Sequence, residues 1–289
     1  HLQIIMEVAI TLQRSDSFLL SKMEVPAKHR APSAQAASLD FSNEIASMRR
    51  ISLEEMSQVK LMNRTDTKFL LPAHLLHKLF QQAGLQYSVQ QIGGECQADY
   101  GTVYLDTADL KLYTTHLNGK LNRIKWRVRS YLDSGINFLE LKRKTNSGRT
   151  VKQRVLCDCN DGDDLIVDGQ FIQEYSVFTP DELRPVLQNR FNRITLVNSA
   201  MSERVTIDYN ISFQNLRTGQ HASLPNLAII EVKQDRTNPS AMREILSQVR
   251  VRPRGVSKYC LGISLTDDAA KRNLYKQKIR YIYKLIHSL

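Results

Sequence analysis

Over 122–131, 136–144 and 149–157 apolar and polar side chains alternate with a period of two, the spacing of β-strands, whose successive side chains point to opposite faces. Strands are expected at 100–106, 122–131, 136–144 and 149–157, with the turn residues Asp133-Ser134-Gly135 and Asn146-Ser147-Gly148 separating the last three. The alternation returns at 203–213 and 227–234, and an earlier strand is expected at 61–71. Helical spacing takes over elsewhere. Pro72 opens a helix with Leu75, Leu76, Leu79, Phe80 and Ala83 on one face and Gly84 as its stop, and Ser52 with Glu55 forms a capping box. Further helices are expected at 109–116, 180–191 and 239–249. Hairpins interrupted by helices predict an antiparallel α+β protein.

Residues 24–43 collect Pro26, Pro32, Ser33, Ser38 and Ser42 without sustained periodicity. The expected organisation is therefore a mobile N-terminal extension over 1–50, one folded domain over 51–266 and a basic amphipathic helix over 267–289. That helix carries Leu274, Ile279, Ile282, Tyr283 and Ile286; packing on the domain is its simpler reading, membrane-surface or partner contact the sharper one.

Composition changes this picture in one respect. The 42% hydrophobic content suffices for a sizeable core, and with no apolar run of 18 residues a cytoplasmic protein without a transmembrane segment is expected. Lys and Arg, however, number 40 against 29 Asp and Glu, and the net charge of +11 calls for an anionic partner. Cys96, Cys157, Cys159 and Cys260 lack paired CxxC spacing, so free thiols are expected rather than a zinc site.

Charge placement narrows the partner. Arg123, Lys125, Arg127 and Arg129 share one strand face, opposite Ile124, Trp126 and Val128. The next strand groups Glu140, Lys142 and Lys144, and the next Lys152 and Arg154. Arg64, Asp66 and Lys68 line up on the first strand, Arg204, Thr206 and Asp208 on a later one, and Glu231 with Lys233 on the last. Like charges directly opposite one another destabilise a strand pair, so cations stacked on several strands call for a bound polyanion. A merely solvated sheet face is the alternative for any single strand. Closing the sheet with its apolar face outward, under helices, would turn the cations into a lumen. The arginine fork suits phosphate oxygens, while a single Trp and few aromatic side chains among the cations count against nucleic acid.

Acidic residues on this face repel phosphate unless they pair with cations or hold a metal. Mg²⁺ and Mn²⁺ are commonly held by one or two carboxylates together with phosphate oxygens. Among Asp66, Glu140, Asp208 and Glu231, the last is the expected metal ligand and the others are expected in salt bridges. The histidines His74, His77, His116, His221 and His287 show no partner constellation and are assigned no chemistry.

These residues carry a resemblance. The ordered set Asn63-Arg64-Thr65-Asp66-Thr67-Lys68-Phe69, Tyr104-Leu105-Asp106-Thr107, Arg123 to Arg129, Leu139-Glu140-Leu141-Lys142, Lys152 to Arg154, Glu231-Val232-Lys233 and Ser257-Lys258-Tyr259 resembles the VTC domain. That domain is the polyphosphate polymerase branch of the triphosphate tunnel metalloenzymes, in the CYTH-like superfamily. The resemblance implies an antiparallel β-barrel tunnel with a basic lumen and helices packed outside. It also implies a phosphotransferase that moves the terminal phosphoryl group of ATP, or another nucleoside triphosphate, to polyphosphate or pyrophosphate with Mn²⁺ or Mg²⁺. Carried over, Lys68, Arg127, Arg129, Lys142, Arg204 and Lys258 look like phosphate ligands and Glu231 like the metal ligand; Arg64, Arg123, Lys152, Arg154 and Arg190 join them by a looser match. The broader family opens with an acidic ExExK strand where this chain has Arg64-Thr65-Asp66-Thr67-Lys68, which favours the polymerase branch. A tripolyphosphatase or nucleoside triphosphatase of the same fold, a non-catalytic polyanion-binding module and a degenerate structural tunnel stay open as alternatives.

Overall fold

The alternating segments become strands in the computed structural model, which describes residues 39–57, 59, 64–157, 168–235 and 238–287. The strands are β1 (Arg50–Ile51), β2 (Arg64–Pro72), β3 (Tyr87–Gln90), β4 (Gln97–Asp106), β5 (Arg123–Tyr131), β6 (Ile136–Lys144), β7 (Thr150–Leu156), β8 (Arg184–Asn198), β9 (Glu203–Asn215), β10 (His221–Leu224) and β11 (Leu227–Asp235). Between and after them come helices α1 (Ser42–Ala46), α2 (Leu53–Ser57), α3 (Leu75–Ala83), α4 (Lys111–Leu117), α5 (Gly169–Tyr175), α6 (Ala241–Gln248), α7 (Lys258–Thr266) and α8 (Asn273–His287). The capping box forms as expected, with Ser52 N–H donating to Glu55 at 2.8 Å and Glu55 N–H to Ser52 Oγ at 3.1 Å.

The main path of the sheet runs β2-β11-β9-β8-β4-β5-β6-β7, every neighbour antiparallel. Among the described residues it ends at β2 and β7 without a bond between them, so the hydrogen-bonded ladder is open where the sequence predicts a closed barrel. The free edge of β2 is instead covered by the loop leading into α7: Phe69 bridges Pro253, and Arg254 N–H donates to Lys68 O at 2.7 Å. The sheet nevertheless curls. β2 and β6 stand six strand spacings apart, about 29 Å if flat, yet the charges of Lys68 and Asp66 on β2 act on Lys142 of β6.

The convex face is apolar. Leu71, Ile194, Leu196, Val205, Ile207, Ile230 and Val232 lie buried under α1, α3 and α6, while Trp126, Val128, Leu139 and Leu141 pack with Phe171 and Ile172 of α5. Helix α7 departs from the expectation that all helices lie outside. Its Tyr259, Leu261 and Ile263 pack against Leu70, Leu187, Phe213 and Ile229, which stand on the same strand faces as the charged residues. Such close approach needs Gly262, where a Cβ would lie 2.5 Å from Leu187 Cδ2 and 2.6 Å from Phe213 Cδ1. The inner face is thus divided between an apolar end filled by α7 and a charged remainder.

Two other expectations change. The helix expected at 180–191 is a 3-10 turn, Pro180–Glu182, followed by the 15-residue strand β8. The extension expected over 1–50 contributes Phe41, Ile45 and Met48 to the buried core, because the helix of 42–46 has an apolar side to cover; residues 1–38 lie outside the described residues. No helix among the described residues is long and apolar enough to cross a membrane.

Candidate functional site

Register turns the strand parity into rows of side chains. Across β5, β6 and β7 the inner face presents Arg127–Glu140–Arg154, Lys125–Lys142–Lys152 and Arg123–Lys144–Thr150. On the far wall Asp66 pairs with Lys233 and Lys68 with Glu231, and these continue to Arg204 and Thr206 on β9. Three lysines in one row are an arrangement that antiparallel pairing penalises, and no acid stands in that row.

Three carboxylates organise the remaining cations. Glu140 accepts from Arg127 Nε at 2.7 Å and stands 3.8 Å from Arg129, whose own Nε finds no hydrogen-bond partner. Burial opposes its ionisation, but the charges of Arg127 and Arg129 hold its carboxyl down at about 2. Asp208 accepts both arms of Arg193, at 2.6 and 2.8 Å, and Lys258 Nζ at 2.6 Å. These cations overcome the burial of Asp208 and keep it well below the ordinary carboxylate range. Glu231 faces Lys68 at 3.9 Å and bonds Lys233 on its own strand; despite burial, these two lysines hold it well below that range as well.

Aromatic faces complete the arginine and lysine seats. Arg193 lies over the rings of Tyr100 and Phe191, 4.9 and 5.2 Å from their centroids, Lys258 over Phe191 and Arg154 over Phe138. Lys258 opens α7, whose N-cap Ser257 accepts from Cys260 N–H at 3.3 Å and from Lys125 Nζ at 3.0 Å. Tyr259, next along, donates to Asp106 at 2.5 Å, and Asp106 also accepts the backbone N–H groups of Leu112 and Tyr113 at the start of α4. The YLDT motif is therefore a clamp that fixes α7, and with it Ser257 and Lys258, against the inner face.

Lys125 and Lys142 make no ion pair among the described residues. Burial first, then the charges of Lys68, Lys142 and Arg127, push the Lys125 amine down to about 7. Burial and Lys68 likewise lower Lys142. His116, at the end of α4, is held neutral: burial and the charges of Lys125, Arg123, Lys68 and Lys142 push it down to about 2, and its buried Nδ1 finds no partner.

Of the residues singled out in the sequence, Lys68, Arg123, Arg127, Arg129, Glu140, Lys142, Lys152, Arg154, Arg204, Asp208, Glu231 and Lys258 come to one face. Arg64 takes the first position of β2, in register with Asp235. Arg190 does not join them. It pairs with Gly101 and Ser212 and is exposed on the opposite face. The inner-face arginine of β8 is Arg193, which the sequence reading misses because 180–191 is expected there as a helix. In the strand Val186 is the extra residue opposite Tyr104/Leu105, and opposite Arg190/Asn192 the extra residue lies on β9. There Asn210 of β9 adopts φ 52° and its amide donates to Asn192 at 2.7 Å.

The donor set around Glu231 suits a hard divalent cation in one way only. No group of three or more His, Cys, Asp or Glu suited to a metal occurs among the described residues. A metal at Glu231 would therefore take its other ligands from phosphate oxygens and water, which is how Mg²⁺ is commonly held.

The sequence matches the VTC domain family over residues 63–266. No curated protein matches it. Among solved structures, it is similar to a candidate adenylate cyclase from Bacillus halodurans, at 12% identity and TM-score 0.43, covering 68% of this chain and 96% of that one. It is also similar to a candidate adenylyl cyclase from Hippeastrum with a dominant triphosphatase activity, at 14% identity and TM-score 0.43, covering 71% and 97%.

Proposed function

The chain belongs to the VTC domain family, and from that premise we propose that it is a polyphosphate polymerase, moving the terminal phosphoryl group of ATP onto a phosphate chain held against the basic inner face. The observation that carries this reading is the row Lys125–Lys142–Lys152, flanked by Lys68, Arg127 and Arg129 and containing no acid. Repulsion of this size on a curled face is relieved by a ligand bearing several negative charges. The curled sheet, with the loop of 253–257 lying along β2, serves as the wall of the tunnel.

In the reaction an oxygen of the terminal phosphate of the chain attacks the γ-phosphorus of the nucleotide. A new P–O bond forms, the bond from the γ-phosphorus to the bridging oxygen breaks, and the nucleoside diphosphate leaves with that electron pair. No protein nucleophile is needed, so the side chains act by alignment and charge. Arg127 and Arg129 clamp the donor phosphates, Lys68 and Lys142 hold the transferred group, and Lys258 with Arg193 positions the acceptor. Mn²⁺ or Mg²⁺ held by Glu231 would supply further neutralisation of the phosphate oxygens.

Incubation of the protein with ATP and Mn²⁺, followed by separation of long chains from orthophosphate, tests the reading. Label from the terminal phosphate of ATP is expected in chains, more so when pyrophosphate is added as primer. Release solely as orthophosphate would make the protein a triphosphatase, and no turnover with tight binding would make it a binding module.

A further inference from the structure

Helix α8 and the segment before α7 hold most of the positive surplus. From residue 250 to the end of the chain there are ten Lys and Arg against Asp267 and Asp268, a surplus of eight within a total of +11. Only part of it is absorbed: Lys258 is turned to Asp208, and Arg272 pairs with Asp268 at 2.6 Å. Lys276, Arg280 and Lys284 stand four residues apart on the exposed face of α8, one cation per turn at intervals of about 6 Å. None of the three has an ion-pair partner among the described residues. Arg252, also exposed, has none either.

This surface is joined to the charged inner face through bonds. Tyr275 of α8 accepts Ser257 N–H at 2.9 Å and donates to Ser257 O at 3.3 Å, and the Ser257 hydroxyl takes Lys125 of the inner face. The Arg254 guanidinium lies 3.9 Å from the centre of the Tyr281 ring, while its backbone N–H holds Lys68 O. Lys278 of α8 and Arg123, the outermost cation of the β5 ladder, both act on the thiol of Cys260. The cation ladder Arg129–Arg127–Lys125–Arg123 therefore runs out towards α8, with no acid on α8 to interrupt it.

We infer that the exposed basic face of α8, with Arg252 and Arg254, is an external subsite that takes a chain of linked phosphates too long for the inner face to hold. The inference rests on the reading of the inner face as a phosphate site, and it adds that chain length is sensed outside it. Charge complementarity and continuity with the ladder select this occupant: one cation per helical turn meets a flexible polyanion with regularly spaced charges. The outward face of α8 offers only Leu274 and Tyr283 as exposed large apolar anchors, too few for an interfacial membrane helix, because Tyr275 and Ile282 are buried and Ile279, Leu285 and Ile286 pack on the core.

Binding of tripolyphosphate and of a polyphosphate of about one hundred units, each to the whole chain, tests this. The variant Lys276→Glu/Arg280→Glu/Lys284→Glu is compared with its Gln counterpart, which removes charge without reversing it; both alter exposed positions. The expected result is unchanged tripolyphosphate affinity and a loss of about tenfold or more for the long chain, with a shallower salt dependence. Equal affinity of the variants for the long chain would overturn the external subsite. Binding of wild type, and not of the variants, to vesicles of phosphatidylserine with no loss of long-chain affinity would make α8 a membrane contact instead. Failure of wild type to bind tripolyphosphate would fault the inner-face reading, a separate outcome.

Discussion

Replacing Lys125 by Met should make the protein more stable while weakening its hold on phosphate. In the folded chain the Lys125 amine is lowered from 10.5 to about 7. A group whose folded pKa lies below its unfolded value destabilises the fold when protonated: the cost is complete below pH 7, shrinks between pH 7 and 10.5, and is gone above 10.5. Fully desolvated, that gap would be worth roughly 5 kcal/mol. Lys125 is only partly shielded from water and its bond to Ser257 is lost on substitution, so about 1–2 kcal/mol is the expected gain. For a chain of this size that is a rise of roughly 2–8 °C in Tm at pH 6. Thermal melts of both proteins at pH 6, 8 and 10.5, without phosphate in the buffer, measure it. A gain that is largest at pH 6 and fades by pH 10.5 supports the argument. A gain independent of pH would mean that Met improves packing and that Lys125 carries no electrostatic cost; destabilisation at pH 6 would refute the reasoning outright.

The same residue predicts that affinity for tripolyphosphate falls about tenfold per pH unit above 7, because binding then requires proton uptake; calorimetry in buffers of different ionisation enthalpy reads the uptake, which Lys125→Met should abolish. Glu231→Gln should remove metal-dependent turnover and also lower the melt, because it leaves the buried Lys233 without its counter-charge; undiminished turnover across a Mn²⁺ titration would sink the metal assignment. Asp208→Asn leaves Arg193 and Lys258 buried without their counter-charge and should cost about 3–5 kcal/mol. Because the Asp208 carboxyl is held below its ordinary range, this gap should be full above about pH 4 and close as the pH falls further, visible in acid-unfolding curves. Gly262→Ala forces α7 away from Leu187 and Phe213, and a loss of about 1–3 kcal/mol in denaturant melts is expected, together with weaker phosphate binding through displaced Lys258.

What the sequence disclosed followed from unbroken alternation. On β5, β6, β7, β9 and β11 the parity of Arg123 to Arg129, Glu140 to Lys144, Arg204 to Asp208 and Glu231 to Lys233 matches the observed faces, because regular pairing preserves it. On β8 the extra residue Val186 breaks the period against β4, and Val186 and Leu187 are buried side by side. The segment therefore resembles a helix, Arg190 stands in for Arg193, and the partner of Asp208 goes unseen. Helix α7 was hidden differently. It is apolar nearly all round, so it has no amphipathic period to detect, and only the Ser257-Lys258-Tyr259 motif marks it. That the ladder stays open between β2 and β7 among the described residues, with a loop containing Pro253 lying along the edge of β2, is something no strand pattern encodes.

The lysine row across β5, β6 and β7 has a consequence for how this protein meets its ligand. A slip of one residue would turn the lysines out but bury Arg and Lys in place of Trp126, Val128, Leu139 and Leu141, so the apolar face locks the frustration in place. The fold thus carries a charge conflict that a bound anion relieves, and the anion becomes part of what holds the strands together. Melting temperature then works as a ligand assay: an occupant at one hundred times its Kd adds about 2.7 kcal/mol. Ranking orthophosphate, pyrophosphate, tripolyphosphate, nucleotides and long chains by the melt each produces would identify the natural occupant before any turnover is measured.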